Sequence, residues 1–240
     1  MIDYLVIIPA RYQSTRFPGK PLADIHGKSM IQRVWEKCAE ATNPDSVLVA
    51  TDDERIMKHC KDHKMQVLLT SNNCLTGTDR LCEVAQKRKA KVYINVQGDE
   101  PLISPEDIKA VIQASQKEPK ITINAMCPIN NEIDFKNPNV PKVVTQIDGR
   151  LLYMSRAPIP TNKKFEFGSA MNQVCIYAFP YDTLITFGSL KDKTPLESIE
   201  DIEILRLLEC GFEVKMIEVS GSSVAVDTPD DLNKVISLLC

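Results

Sequence analysis

Short apolar runs alternate with helical periods along most of this chain, and that alternation limits the fold more than any other feature. "YLVIIPA" (Tyr4–Ala10) reads as a strand and "MIQRVWEKCAEA" (Met30–Ala41) as a helix. "SVLVATDD" and "ERIMKHCKDH" repeat the pair, as do "QVLLTS" and "TDRLCEVAQKRK", then "KVYINVQGDEPLI" and "PEDIKAVIQASQK". The last helix opens on proline and acids, which suit the first turn. Strand and helix in this rhythm mean βαβ units and a parallel sheet.

Between about Ile121 and Ser189 the rhythm stops. "ITINAMCPI", "PKVVTQID", "LLYMSR" and "NQVCIYAFP" read as strands without long helices between them, as an antiparallel insertion or a mixed extension of the sheet. "PLESIEDIEILRLLECG" (Pro195–Gly211) then reads as one strong helix stopped by glycine. "EVKMIEVS" reads as a strand and "TPDDLNKVISLL" as a final helix. No linker and no internal repeat divides the chain. The expectation is a single α/β domain over residues 1–240, with a Rossmann-like sheet flanked by helices and an inserted antiparallel subregion at about 121–189.

The 240 residues are 43% hydrophobic, enough for a large core, and the net charge of −3 lacks the basic excess of a nucleic-acid binder. An anionic ligand must therefore meet local cations. The eight cysteines form no CxxC, and Cys38, Cys60, Cys82 and Cys210 fall in helix-like stretches. With no secretory leader in "MIDYLVIIPAR", they are expected to be reduced thiols in a cytoplasmic protein. No apolar run is long enough to span a membrane.

Ligands of such sheets gather at the carboxyl ends of strands, here after Pro9, Thr51, Val96 and Val226. After Pro9, "ARYQSTRFPGK" places Arg11, Arg16 and Lys20 among turn residues, as a phosphate site requires. Leu22 stands where GxxxxGK[ST] ahead of Ser29 would need glycine, and GxGxxG is absent, so the loop is no standard ATPase or dinucleotide fingerprint. A solvated basic loop is the other reading. After Val96, Asp99 and Glu100 could hold Mg2+ opposite such a loop, or form an ordinary acidic turn. Asp227 could join the metal or cap the helix that follows. In "TGTDRLCEV", Thr76, Gly77 and Thr78 form a turn before Asp79 and Arg80, suited to a nucleotide or to a plain cap at Thr78. His26, His59 and His63 have no cluster of metal-ligand spacing around them.

Together these stretches resemble the CMP-Kdo synthetases, the 3-deoxy-manno-octulosonate cytidylyltransferases. "IIPARYQSTRFPGKPL" is similar to their nucleotide loop nearly residue by residue. "VATDDERI", "GTDRLCEV", "INVQGDEPLI", "FKNPNVPKVV", "SRAPIP", "PLESIEDIEILR" and "VDTPDDL" follow in the family's order over almost the full length. The related sialic-acid-type enzymes typically begin "ARGGSKG" instead.

The resemblance implies a reaction of CTP with a 2-keto-3-deoxy sugar acid to give the CMP-sugar and pyrophosphate, for lipopolysaccharide or capsule. It also implies Mg2+, as two ions, and a cytosolic homodimer. It places Pro9, Ala10, Arg11, Ser14, Thr15, Arg16, Lys20, Thr76, Gly77 and Arg80 at the nucleotide. Asp99 and Asp227 would hold the metal, with Lys20 and Arg16 as catalytic cations. Gln97, Arg156, Gln173, Tyr177 and Glu203 would face the sugar. Cys74, Gln173, Cys175 and Ile204 depart from the family's usual His, His, Gly and Gln, so the nucleotide machinery is retained while the sugar side is altered. A modified Kdo or a nonulosonic acid is the alternative substrate. A CTP-binding protein without turnover is the alternative of another class.

Overall fold

A computed structural model describes residues 2–239. The chain opens with β1 (Ile2–Ala10), a small hairpin of β2 (Asp24–Ile25) and β3 (Lys28–Ser29), and α1 (Met30–Ala41). There follow β4 (Val47–Thr51), α2 (Glu54–Asp62), β5 (Val67–Leu69), α3 (Gly77–Lys87), β6 (Ala90–Val96) and α4 (Pro105–Lys117). The next stretch holds β7 (Thr122–Ile129), α5 (Glu132–Lys136), β8 (Lys142–Thr145), β9 (Leu151–Ser155), β10 (Ala170–Pro180) and α6 (Tyr181–Ser189). Then come α7 (Pro195–Glu200), α8 (Ile204–Glu209), β11 (Val214–Glu218) and α9 (Pro229–Leu238).

Among the described residues one main sheet runs β11-β7-β10-β6-β1-β4-β5, with β8 and β9 attached beyond β10. β1 pairs in parallel with both β4 and β6, and β11 in parallel with β7. Within that row β10 alone runs against its neighbours, between β6 and β7. The stretch that breaks the rhythm is thus a mixed extension of the same sheet.

Both faces of the sheet are covered, which is why β1 is apolar without interruption from Leu5 to Ala10. Val6 and Ile8 pack with Ile31 and Val34 of α1, Ile56 of α2 and Ile108 and Val111 of α4. Leu5 and Ile7 pack on the other face with Leu81 and Val84 of α3, Leu184 and Phe187 of α6 and Leu205 of α8. The described cysteines are all free thiols, and burial pushes Cys60 up to about 12. No helix among the described residues is long and apolar enough to cross a membrane.

Three expectations need correction. Tyr181–Ser189, inside the strand-rich stretch, is helical, with Leu184 and Phe187 three apart on its buried face. Val226 lies in an irregular segment, tied to the sheet end by a bond from its N–H to the Asp99 carbonyl (2.9 Å). The helix expected over 195–211 breaks in the middle, where Asp201 adopts φ 50. There the Arg156 guanidinium takes the Glu200 and Asp201 carbonyls that a continuous helix would use internally.

Candidate active site

The loops after β1 and β6, the N-terminus of α3 and the segment before α9 surround a cleft of about 310 Å³. Lys20 sits in its wall. Its ammonium donates to Asp99 Oδ2 (2.7 Å) and the Val226 carbonyl (2.7 Å), and lies 3.5 Å from Asp227 Oδ1. Arg16 reaches Asp227 from the solvent side, at 3.2 Å. Two carboxylates and two cations from three distant segments thus meet at one point. Gly98 makes the approach possible: a Cβ there would lie 2.8 Å from the Pro9 carbonyl oxygen.

Asp227 is not the cap of α9. Thr228 has that role, in a reciprocal capping box with Asp231, which leaves the Asp227 carboxylate to Lys20 and Arg16. Likewise the cap of α3 is Thr76, boxed with Asp79, and not Thr78. The Thr78 hydroxyl and N–H and the Gly77 N–H instead donate to the Glu203 carboxylate. Desolvation raises the Glu203 carboxyl above the usual range, against the pull of those donors. Arg80 is buried and bonds Thr70, the Ser71 carbonyl (3.2 Å) and Asp52 (2.9 Å), the residue just past β4.

A second, fully buried ion pair holds this wall together. Arg206 donates to both oxygens of Glu197 (2.6 and 2.7 Å), to Asp79 (3.1 Å) and lies over the Phe187 ring (3.8 Å). It ties α7, α8, α6 and the start of α3 into one unit.

Asp99 and Asp227 offer hard oxygen donors around Lys20, with Arg16 on the outer side of Asp227, which suits Mg2+ held by few carboxylates and completed by phosphate oxygens and water. Among the described residues there is no group of three or more His, Cys, Asp or Glu that could form an all-protein cage.

The cytidylyltransferase family model matches residues 5–217 of the chain. The 3-deoxy-manno-octulosonate cytidylyltransferase of Geobacter metallireducens is 43% identical, over 97% of this chain and 96% of its own length. The chain belongs to the 3-deoxy-manno-octulosonate cytidylyltransferase family. The Escherichia coli member is 38% identical across 100% of this chain and 97% of its own. A solved CMP:2-keto-3-deoxy-manno-octonic acid synthetase complexed with CTP superimposes with a TM-score of 0.92, at 37% identity over 99% of this chain and 98% of that one.

Every residue that the family resemblance placed at the nucleotide lines the cleft: Pro9, Ala10, Arg11, Ser14, Thr15, Arg16, Lys20, Thr76, Gly77 and Arg80. So do Asp99, Asp227, Gln97 and Glu203. Arg156, Gln173 and Tyr177 are not on the cleft wall. Arg156 is committed to the Pro138, Glu200 and Asp201 carbonyls. Gln173 is buried, donating to Asn124 (3.0 Å) and to the Tyr177 hydroxyl (3.2 Å). Lys193 and Asp201 line the cleft without having been expected there. Neither adjoins a strand end, and Asp201 arrives only because the predicted helix breaks.

Proposed function

We propose that this chain transfers the cytidylyl group of CTP to 3-deoxy-manno-octulosonate or a close relative, releasing pyrophosphate. The convergence of Lys20, Arg16, Asp99 and Asp227 in one cleft carries the reading, in a family whose members bear that activity in their names. The sugar's anomeric oxygen forms a bond to the α-phosphorus. The bond from that phosphorus to the oxygen bridging the α- and β-phosphates breaks, the hydroxyl proton passes to solvent water, and pyrophosphate leaves with the bridging oxygen and its bonding electron pair.

The first loop, through Arg11, Ser14, Thr15, Arg16 and Lys20 and the backbone at Pro9 and Ala10, holds the triphosphate. Lys20 and Arg16 offset the charge that gathers on the leaving group. Thr76, Gly77 and Arg80 hold base and ribose. Asp99 and Asp227 would hold Mg2+, proposed as two ions, which would supply charge neutralisation at the phosphates. Gln97 and Glu203 face the sugar. Tyr177 supports that side from β10, where it pairs with Asn95, two residues before Gln97. Gln173 in turn holds Tyr177, and Arg156 anchors the segment bearing Asp201 and Glu203.

The protein is proposed to act in the cytoplasm as a homodimer through residues 121–189, supplying lipopolysaccharide or capsule synthesis. A sugar acid altered in one or more hydroxyls is the second reading. It rests on the departures at Ile204 and Gln173, which are buried behind the cleft wall and would act through the neighbouring Glu203 and through Tyr177. Pyrophosphate release from CTP with a panel of sugar acids tests both. Turnover of 3-deoxy-manno-octulosonate about a hundredfold better than of amino- or acetamido-substituted analogues would discard the second reading. Turnover of none would discard both and leave a CTP-binding protein.

A further inference from the structure

The nucleotide loop is folded around one aromatic ring. Tyr12 is half-buried against the core beneath β1. From one side the chain returns onto it at Gly19, whose N–H donates to the Tyr12 carbonyl (2.9 Å). Gly19 has φ +73, and a Cβ there would stand 3.1 Å from the Tyr12 Cζ and Oη. From elsewhere the Arg55 guanidinium of α2 lies over the ring, 3.3 Å from its centroid. Arg55 is itself fixed. Its Nε and Nη2 bond the two oxygens of Asp53 (2.9 and 2.7 Å), and Asp53 is the cap of α2, bonded by its N–H to the Thr51 hydroxyl at the end of β4 (3.2 Å). The residue after Gly19 is Lys20.

We propose that Arg55 is a positioning residue for CTP: with Asp53 it clamps Tyr12, and so fixes the loop that presents Arg16 and Lys20. The proposal rests on the reading that this loop holds the triphosphate. Arg55 is more than half exposed and lies outside the cleft lining, so its loss removes neither a core contact nor a side chain of the site. A guanidinium on a ring at an exposed site contributes enough to change an equilibrium roughly two- to fivefold.

Calorimetric titration of the protein with CTP and Mg2+ is the test, for the wild type, Arg55→Ala, Arg55→Lys, Tyr12→Leu, the Arg55→Ala/Tyr12→Leu double variant and Lys20→Ala. Arg55→Ala and Tyr12→Leu should each weaken CTP binding about two- to fivefold, with the double variant no worse than the poorer single. Arg55→Lys should recover part of the loss, and the KM of the sugar acid should stay unchanged in all of them except Lys20→Ala. Wild-type affinity in Arg55→Ala, or effects that multiply in the double variant, would overturn the clamp. If Lys20→Ala still weakens CTP binding in that case, the clamp alone falls. If Lys20→Ala also binds CTP normally, the assignment of the loop falls with it.

Discussion

Asp227 had two possible occupations, helix cap or metal ligand, and Thr228 takes the cap. Its carboxylate instead shares Lys20 with Asp99. Asp227→Ala should therefore leave the fold intact and lower kcat on the order of a thousandfold or more, as removal of a metal-holding group does. Near-normal turnover in a folded variant would assign Asp227 to the surface alone. Glu100, next to Asp99, behaves differently. Burial, added to the charge of Asp99, raises its carboxyl from 4.5 to about 7. An acid raised on folding binds more protons in the native state, so stability is lost as pH climbs from about 4.5 to about 7. Glu100→Gln should leave stability near pH 4.5 nearly unchanged and raise it above pH 7.5 on the order of 3 kcal/mol. Urea unfolding in chelator at both pH values checks this; no gain at the higher pH would mean that Glu100 stays solvated. Single residues were legible in the sequence where charge stood just past an apolar strand, as at Lys20 and Asp99. Lys193 gave no such signal, because its place in the cleft depends on how α7 packs.

At the scale of elements, the site exists because the ends of β1 and β6 touch. Gly98→Ala would push a methyl group against the Pro9 carbonyl and Ile31. It should cost about 1–3 kcal/mol of stability and reduce kcat/KM by more than the stability loss explains, because Asp99 and the first loop would be forced apart. Thermal unfolding beside steady-state kinetics distinguishes the two effects, and full activity would show that the loops can separate harmlessly. Helices on the regular βα units were legible to within a residue or two, as α1 shows, because periodicity and caps agreed. The helix expected over 195–211 was misread because its break has a distant cause. Arg156 and the donors on Gly77 and Thr78 draw Glu200, Asp201 and Glu203 out of line, and no local pattern records that.

At the scale of the molecule, Ile147, Leu152 and Phe165 stand exposed on the strand-rich stretch, with Ile199 of α7 exposed beyond it. Exposed large apolar side chains on a strand-rich stretch are candidates for burial against another chain. The chain should sediment as a dimer at micromolar concentration, and Leu152→Lys should shift it toward the monomer; a monomeric wild type would refute the proposed assembly. Sheet class and the succession of strands and helices along the chain followed from the alternation of apolar runs, but the order of strands across the sheet, with β10 between β6 and β7, did not, since pairing across that distance leaves no periodic trace. The central proposal, CTP-dependent activation of a sugar acid in the cleft around Lys20, is tested most directly by phosphorus NMR of the protein with CTP, Mg2+ and 3-deoxy-manno-octulosonate. The three CTP resonances should give way to equal amounts of a sugar-linked CMP phosphodiester and free pyrophosphate, with no such change in Asp99→Ala. CTP left unconverted, or turned into CDP and inorganic phosphate, would contradict it.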